Sequence, residues 1–128
     1  MTVLLIDDDE DDVLFFEEAL RDLVPNSFLR CCSCAEEALL YMSHATSEMP
    51  DVIFLDINMP VINGWECLRE IKKIAGWEMI PVVMYSTADL SKSGMLPTDV
   101  GAAGFYKKGN SFSELKDSLR QALGAVFK

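Results

Sequence analysis

Five short apolar runs alternate with stretches of helical periodicity along this chain, and this alternation limits the possible folds more than any other feature. The runs lie at Val3–Ile6, Ser27–Cys32, Val52–Leu55, Val82–Tyr85 and Phe105–Lys107. The first, third and fourth are almost entirely apolar, which is typical of strands buried on both faces of a parallel sheet. The second and fifth contain polar residues, so we expect them to be the outer strands.

Helices are predicted between these runs, because apolar residues recur there every three or four positions. The predicted helices span Asp11–Leu23, Ser33–Met42, Gly64–Ile74 and Ser111–Val126. Two of them begin with a serine followed three residues later by a glutamate, which is capping-box spacing. These pairs are Ser33 with Glu36 and Ser111 with Glu114.

A further helix is due between the fourth and fifth strands, within Asp89–Val100. This segment contains Gly94 and Pro97, which are both unfavourable inside a helix. We therefore expect it to be short, broken or mobile.

Five βα units predict one domain over residues 1–128 with an α/β fold. The expected architecture is a doubly wound five-stranded parallel sheet, order 2-1-3-4-5, with helices on both faces. Ligands of such sheets bind beyond the carboxyl ends of the strands, at the point where the strand order reverses. Here that point lies between strands one and three.

The composition excludes several classes of function. A formal net charge of −10 argues against nucleic-acid binding, which needs clustered Lys and Arg. The apolar runs are too short to cross a bilayer, and the acidic block after Val3–Ile6 is unlike a signal peptide. We therefore expect a cytoplasmic protein that binds neither nucleic acid nor membranes.

Polar side chains follow the predicted strands at one edge of the sheet. Strand one is followed by Asp7 and Asp8, strand three by Asp56, strand four by Ser86, and strand five by Lys108. Three converging carboxylates with one lysine leave a formal charge of −2, which a divalent cation would balance. Carboxylate oxygens without His or Cys favour Mg²⁺. Such a site suits phosphoryl transfer, with an aspartate as nucleophile.

Two further predictions concern which of the adjacent acidic and basic residues face the site. We expect Asp9–Asp12 to form the first turn of a helix, where negative charge is favourable, so that only Asp7 and Asp8 face the site. We also expect Lys107 to be a solvated strand residue and Lys108 to be the lysine of the site.

The cysteines raise a different chemistry, because Cys31 and Cys34 have CxxC spacing. No second CxxC follows, and His44 is a poor fourth ligand for a metal. We therefore expect ordinary thiols rather than a zinc or redox site.

As a set, the residues at the strand ends match a known pattern. The sequence resembles the receiver domain of two-component response regulators, the CheY-like family, over essentially its whole length. Asp7-Asp8 matches the family's acidic pair, and Asp56-Ile57-Asn58-Met59-Pro60 followed by Gly64 resembles the phosphoacceptor motif D-x-x-M-P-x-x-x-G. Ser86 and Lys108 stand where the family has its Ser/Thr and its lysine.

This resemblance implies that Asp56 accepts a phosphoryl group from a phosphohistidine, on a sensor histidine kinase or a histidine phosphotransfer protein. Mg²⁺ would be the cofactor, bound directly by Asp8 and directly or through water by Asp7. Asp56 and the backbone carbonyl of Asn58 would complete its protein ligands.

The resemblance also assigns residues that would sense the phosphoryl group. Ser86 and Lys108 would bind its oxygens, and Phe105 matches the aromatic position whose rotamer reports phosphorylation.

Two positions depart from the family. Gly109 replaces the usual proline, which puts the family's cis-peptide turn in doubt, although glycine can itself adopt unusual backbone angles. Thr87 stands where a small residue is frequent, and we expect its bulk to slow dephosphorylation.

The function expected from these residues is a stand-alone phosphorylation switch that acts on an unknown protein target and turns over no separate substrate. A phosphorelay intermediate that passes the phosphoryl group to a histidine phosphotransfer protein remains an alternative. A phosphatase with an aspartate nucleophile would need an acid at position 58, which is Asn58. A degenerate receiver would lack part of the Asp7, Asp8, Asp56, Ser86 and Lys108 set.

Overall fold

The computed structural model describes residues 1–44, 48–87, 94, 96–109 and 111–127 of the chain. The strands in this part are β1 (Thr2–Ile6), β2 (Phe28–Cys32), β3 (Val52–Asp56), β4 (Val82–Ser86) and β5 (Gly104–Lys107). The α-helices are α1 (Glu10–Leu23), α2 (Ala35–Ser43), α3 (Gly64–Ile71) and α4 (Phe112–Val126). None of the described helices is both long and apolar enough to span a membrane.

The strands form one sheet in the order β2-β1-β3-β4-β5, and all neighbouring pairs are parallel. This confirms the predicted α/β fold and its strand order. The two strands with polar residues, β2 and β5, lie at the edges. Their neighbours are covered on both faces, and every residue of β3 and β4 is buried, which explains why these runs are continuously apolar.

The sheet separates two apolar clusters, which we call the α1/α4 core and the α2/α3 core. Successive residues of a strand point to opposite faces, so β1 contributes Val3 and Leu5 to the first core and Leu4 and Ile6 to the second. The α1/α4 core also contains Phe16 and Leu119, whereas the α2/α3 core contains Met42 and Leu68. Helices therefore cover both faces, as predicted.

The observed helix ends correct two of the predicted boundaries. Helix α3 ends at Ile71 rather than Ile74, because the chain turns there and Lys72 Nζ donates to the carbonyls of Glu78 and Ile80 at 3.1 and 3.3 Å. Helix α2 begins at Ala35, with Cys34 as the N-cap residue.

The predicted capping box of Ser33 with Glu36 is wrong. Ser33 instead donates from its backbone N–H and its hydroxyl to Glu37 Oε2, at 3.1 and 2.8 Å. At the start of α4 the predicted contact is present, because Ser111 Oγ accepts the N–H of Glu114 at 3.2 Å.

The weak segment before β5 contains a short 3₁₀ helix, Pro97–Val100. Asp99 Oδ2 accepts the N–H of Leu96 at 2.8 Å and so closes its first turn. Residues 89–93 and 95 lie outside the described residues, so the prediction of a broken helix there remains a prediction.

Helix α3 approaches the end of β3 unusually closely at Gly64. A Cβ atom on Gly64 would lie 2.5 Å from the carbonyl oxygen of Asp56 and 2.6 Å from Cα of Ile57. The Gly64 N–H donates to the carbonyl of Ile57 at 2.9 Å. This position therefore requires glycine for space, and the contact fixes the loop that leaves Asp56.

We expect Gly64→Ala to lower the free energy of unfolding by roughly 1–3 kcal/mol, because the new methyl group must displace backbone atoms. Gly124→Ala is the matched control, since nothing lies within 4 Å of a Cβ at that position in α4. That variant should gain about 0.5–1 kcal/mol from helix propensity. Urea unfolding measures both, and equal stability of the two variants would contradict the close contact.

Candidate functional site

The strand ends bring three carboxylates together at the carboxyl edge of the sheet. Asp7 and Asp8 follow β1, and Asp56 is the last residue of the neighbouring strand β3. One oxygen from each carboxylate lies within 4.8 Å of the other two. Asp7 and Asp56 are buried, with 2% and 3% of their surface exposed, whereas Asp8 is exposed at the rim.

Asp7 is held by hydrogen bonds to both of its oxygens. Oδ1 accepts the backbone N–H of Asp9 at 3.0 Å. Oδ2 accepts the hydroxyl of Tyr85 and lies 3.2 Å from Nζ of Lys108. The orientation of this buried carboxylate is therefore fixed by the protein itself.

Lys108 enters the site from the end of β5. Its backbone N–H donates to the carbonyl of Ser86 at 2.7 Å, which continues the pairing of β4 with β5 by one residue. Its Nζ lies 3.2 Å from Asp7 Oδ2 and 3.4 Å from Asp56 Oδ2. The preceding Lys107 is exposed, so the structure places Lys108, and not Lys107, in the pocket.

Asp12 also reaches the site, which corrects the prediction that only Asp7 and Asp8 do. It lies in the first turn of α1, and its Oδ2 accepts a hydrogen bond from Lys108 Nζ at 2.8 Å. Asp9 does behave as predicted, because its side chain caps the helix by accepting the N–H groups of Asp11 and Asp12. Helix α1 packs against α4 on the same face of the sheet, and its first turn lies close enough to the strand ends for Asp12 to reach Lys108.

Burial and the surrounding charges oppose each other at Lys108. Burial alone would lower the pKa of its ammonium group. The hydrogen bond to Asp12 and the charges of Asp7, Asp56 and Asp12 outweigh this effect and raise the pKa above its usual value. Lys108 is therefore a permanent cation within the pocket.

Asp56 has a strongly perturbed acidity. Its pKa is raised from 3.8 to about 7, chiefly by burial and also by the charge of Asp7, while the charge of Lys108 opposes the increase. The N–H of Asn58 donates to Oδ1 at 3.2 Å and favours the ionised form. The protein groups alone thus leave this carboxylate only partly ionised near neutral pH.

Ser86 ends β4 beside Asp56 and is 2% exposed. Its Oγ accepts a hydrogen bond from Nδ2 of Asn58 at 3.1 Å. The sequence predicted a role only for the backbone carbonyl of Asn58 as a metal ligand, and that role remains a prediction. The side chain of Asn58 instead connects the loop after β3 with the end of β4.

Phe105 lies in β5 and is half-buried. Its ring packs edge to face on Trp65 of α3, with centroids 5.7 Å apart and an interplanar angle of 82°. It therefore belongs to the α2/α3 core. Thr87, directly after Ser86, is exposed, and its expected effect on dephosphorylation remains a prediction.

Gly109 is needed for space rather than for the unusual backbone angles that the sequence suggested. No cis peptide bond occurs among the described residues, and Gly109 is not among the described glycines with positive φ. A Cβ at this position would lie 2.4 Å from Cβ of Glu114 and 2.7 Å from the backbone nitrogen of Leu115. The absence of a side chain thus lets the loop after Lys108 pack directly on α4.

The cysteines take no part in this site. All four are free thiols, and burial raises the pKa of Cys32 to about 11 and that of Cys67 to about 12. Among the described residues, the cluster of possible metal ligands consists of Asp7, Asp8 and Asp56 alone. The expectation of ordinary thiols remains a prediction.

The donor set fits a hard divalent cation. Its oxygens come only from carboxylates, which suit Mg²⁺, Ca²⁺ or Mn²⁺ rather than softer metals. Lys108 supplies one positive charge against the formal charges of four carboxylates, once Asp12 is included. The resulting formal charge of −3 is larger than the −2 expected from the sequence, and it strengthens the case for a divalent ion.

Sequence comparisons agree with this geometry. A family model described as the response regulator receiver domain matches residues 3–120. The chain is 29% identical over 123 residues to the KDP operon transcriptional regulatory protein KdpE of Escherichia coli K12, covering 96% of this chain and 52% of that protein. This chain spans about a third to a half of the length of the curated relatives that it matches first.

Solved structures share the fold. The phosphorylated cyanobacterial phytochrome response regulator RcpA superposes with a TM-score of 0.83 at 26% identity, covering 95% of this chain and 90% of that one. The Mn²⁺-bound form of response regulator Rcp1 superposes with a TM-score of 0.81 at 22% identity, covering 96% and 91%.

The raised pKa of Asp56 predicts that Asp56→Asn stabilises the protein in buffer containing EDTA. Between about pH 4 and pH 7 the unfolded chain loses the Asp56 proton before the folded protein does, so the wild type is progressively penalised as pH rises. The variant should gain roughly 1–3 kcal/mol at pH 8 and nothing near pH 4.

Urea unfolding at the two pH values measures this difference. Asp117→Asn is the control, because it removes one carboxylate whose side chain is 59% exposed on α4. A stability difference between Asp56→Asn and wild type that does not change with pH would contradict the raised pKa.

Proposed function

The chain belongs to the response regulator receiver domain family, and from this membership we propose that Asp56 accepts a phosphoryl group from the phosphohistidine of a histidine kinase or a histidine phosphotransfer protein. The observation that supports this proposal most strongly is the position of the Asp56 carboxylate. Asp56 Oδ2 lies 3.4 Å from Lys108 Nζ, and the carboxylates of Asp7 and Asp8 lie beside it. The pocket thus combines an anionic nucleophile with the charges that phosphoryl transfer requires.

In the proposed step an oxygen of Asp56 forms a bond to phosphorus while the bond from phosphorus to the imidazole nitrogen breaks. The electron pair of that bond leaves with the imidazole. An ionised carboxylate needs no general base. Lys108 carries a fixed positive charge close to the reacting oxygen, and it offsets charge that develops on the phosphoryl group.

Mg²⁺ is the cation that we propose for this site. Asp7, Asp8 and Asp56 would hold it, together with the backbone carbonyl of Asn58. The bound ion would neutralise the phosphoryl oxygens and favour the ionised form of Asp56. Support comes from the all-carboxylate donor set, and the Rcp1 structure contains Mn²⁺, which has similar ligand preferences.

The output that we propose is a change in protein–protein contacts. A phosphoryl group adds about −1.5 to −2 charges next to Lys108 and Ser86. Ser86 is held by Asn58, and Phe105 of the neighbouring strand β5 packs on Trp65 of α3. Phosphorylation would shift the population between two arrangements of these side chains, and a protein target would bind one of them.

Incubation with Mg²⁺ and acetyl phosphate tests the phosphoacceptor directly. We expect one acid-stable, base-labile phosphoryl adduct per chain, detected by intact mass. Asp56→Asn should give no adduct, and Asp117→Asn should react like the wild type because its side chain is solvated on α4. An adduct that persists in Asp56→Asn would exclude Asp56 as the acceptor.

Cation binding should also increase the free energy of unfolding. Mg²⁺ at about 100 times its dissociation constant is expected to add about 2.7 kcal/mol to the free energy of unfolding. Asp8→Asn should remove most of this increment by removing one ligand. Asp11→Asn changes an exposed carboxylate in the first turn of α1 and should retain it. An equal increment in both variants would refute the role of Asp8.

A further inference from the structure

Tyr85 is the buried residue of the site that the proposed reaction does not use. It precedes Ser86 in β4 and is 5% exposed. Its ring belongs to the α1/α4 core, and its hydroxyl leaves that core to donate to Asp7 Oδ2. The hydroxyl of a buried tyrosine is a polar group that must find a hydrogen-bond partner. Here that partner is a carboxylate of the proposed cation site.

The ring of Tyr85 makes a second contact with the site. Lys108 Nζ lies 4.8 Å from the ring centroid, which is within the range of a cation–π interaction. Phe16 packs against the ring with centroids 6.3 Å apart, and Phe16 in turn packs edge to face on Phe54 at 5.0 Å. These aromatic neighbours leave the ring little room to move.

Together these contacts fix two charged groups of opposite sign. Asp7 Oδ2 is shared between the Tyr85 hydroxyl and Lys108, and Oδ1 accepts the Asp9 N–H. Lys108 is supported from the core side by the Tyr85 ring while it faces Asp56. Groups that are already oriented need no rearrangement when a ligand arrives, and partners that orient a metal ligand affect metal affinity strongly.

We propose that Tyr85 is a positioning residue for the cation site, which orients Asp7 through its hydroxyl and supports Lys108 through its ring. This inference rests on the proposed function, since it assigns a role in binding the divalent cation there. It differs from the simpler reading of Tyr85 as a core aromatic residue, for which the hydroxyl would have no effect on cation binding.

Tyr85→Phe separates the two readings, because it keeps the ring and removes the hydroxyl. We expect the dissociation constant for Mg²⁺, measured by isothermal titration calorimetry, to rise 10- to 100-fold. Binding of Mn²⁺, followed by electron paramagnetic resonance, should weaken in parallel. Circular dichroism and urea unfolding establish that the variant is folded at the temperature of the titration.

Tyr106→Phe is a closely matched control. Tyr106 pairs in register with Tyr85 on the adjacent strand β5, packs against the same α1/α4 core, and has no hydrogen bond from its hydroxyl to the described residues. The same chemical change at this position should leave the dissociation constant unchanged. A loss of affinity equal to that of Tyr85→Phe would indicate general loosening of the core and overturn the proposal.

A double-mutant cycle with Asp7→Ala, which removes the acceptor of the Tyr85 hydroxyl, tests the route of the effect. If the hydroxyl acts through Asp7, Tyr85→Phe should change the affinity of the Asp7→Ala protein by less than 2-fold. An effect of the same size in both backgrounds overturns the proposal, as does wild-type affinity in Tyr85→Phe alone.

The two proposals fail separately. Normal phosphorylation of the wild type with unchanged Mg²⁺ affinity in Tyr85→Phe overturns only the role of Tyr85. Weakened Mg²⁺ binding in Tyr85→Phe, without any adduct on Asp56 in the wild type, supports the role of Tyr85 and overturns only the phosphoacceptor. A wild type that binds no Mg²⁺ overturns both.

Discussion

One lysine ammonium connects the separate parts of this site. Lys108 Nζ lies within 3.4 Å of carboxylates from the end of β1, the first turn of α1 and the end of β3. Buried charges are tolerated only when they are paired and hydrogen-bonded, so Asp7, Asp56 and Lys108 depend on one another to stay below the surface. The strand order places these residues at one edge, and the ammonium keeps like charges there in close proximity. Three features of the fold bring this cluster together. The sheet places the strand ends side by side, the packing of α1 brings Asp12 to Lys108, and the tight loop at Gly109 follows Lys108 directly onto α4.

The fold followed from the sequence because it depends on patterns that local residues carry. Continuously apolar β3 and β4 indicated central strands, and the polar residues of β2 and β5 indicated edges. The topology then followed from general rules for parallel sheets. The helix boundaries were less certain, since α3 ends where the side chain of Lys72 binds the carbonyls of Glu78 and Ile80 in the loop that follows. A contact between a helix end and the following loop does not change the spacing of apolar residues, so periodicity does not predict it.

The sequence predicted the functional side chains that follow or end a strand. It did not predict those that reach the site only because of the way helices and strands pack. Asp7, Asp8, Asp56, Ser86 and Lys108 all follow or end strands. Asp12 lies in an acidic first turn of a helix, where negative charge is favourable in any case, so nothing in the sequence assigned it to the site. Its contact with Lys108 depends on how α1 packs on the rest of the fold. Tyr85 was read as part of an apolar run, although its hydroxyl was the available signal that a buried polar contact must exist. Gly109 was interpreted through backbone angles, whereas the approach of α4 determines the need for glycine.

The division of the interior into two cores has a consequence for how the parts of the site can vary. Tyr85 supports Asp7 and Lys108 from the α1/α4 core, while Phe105 and Trp65 pack in the α2/α3 core on the opposite side of the sheet. The sheet lies between the two clusters, so a substitution in one core does not require the other to repack. The residues that orient the proposed cation site and the residues that would carry the proposed change in protein contacts therefore rest on different sets of buried side chains.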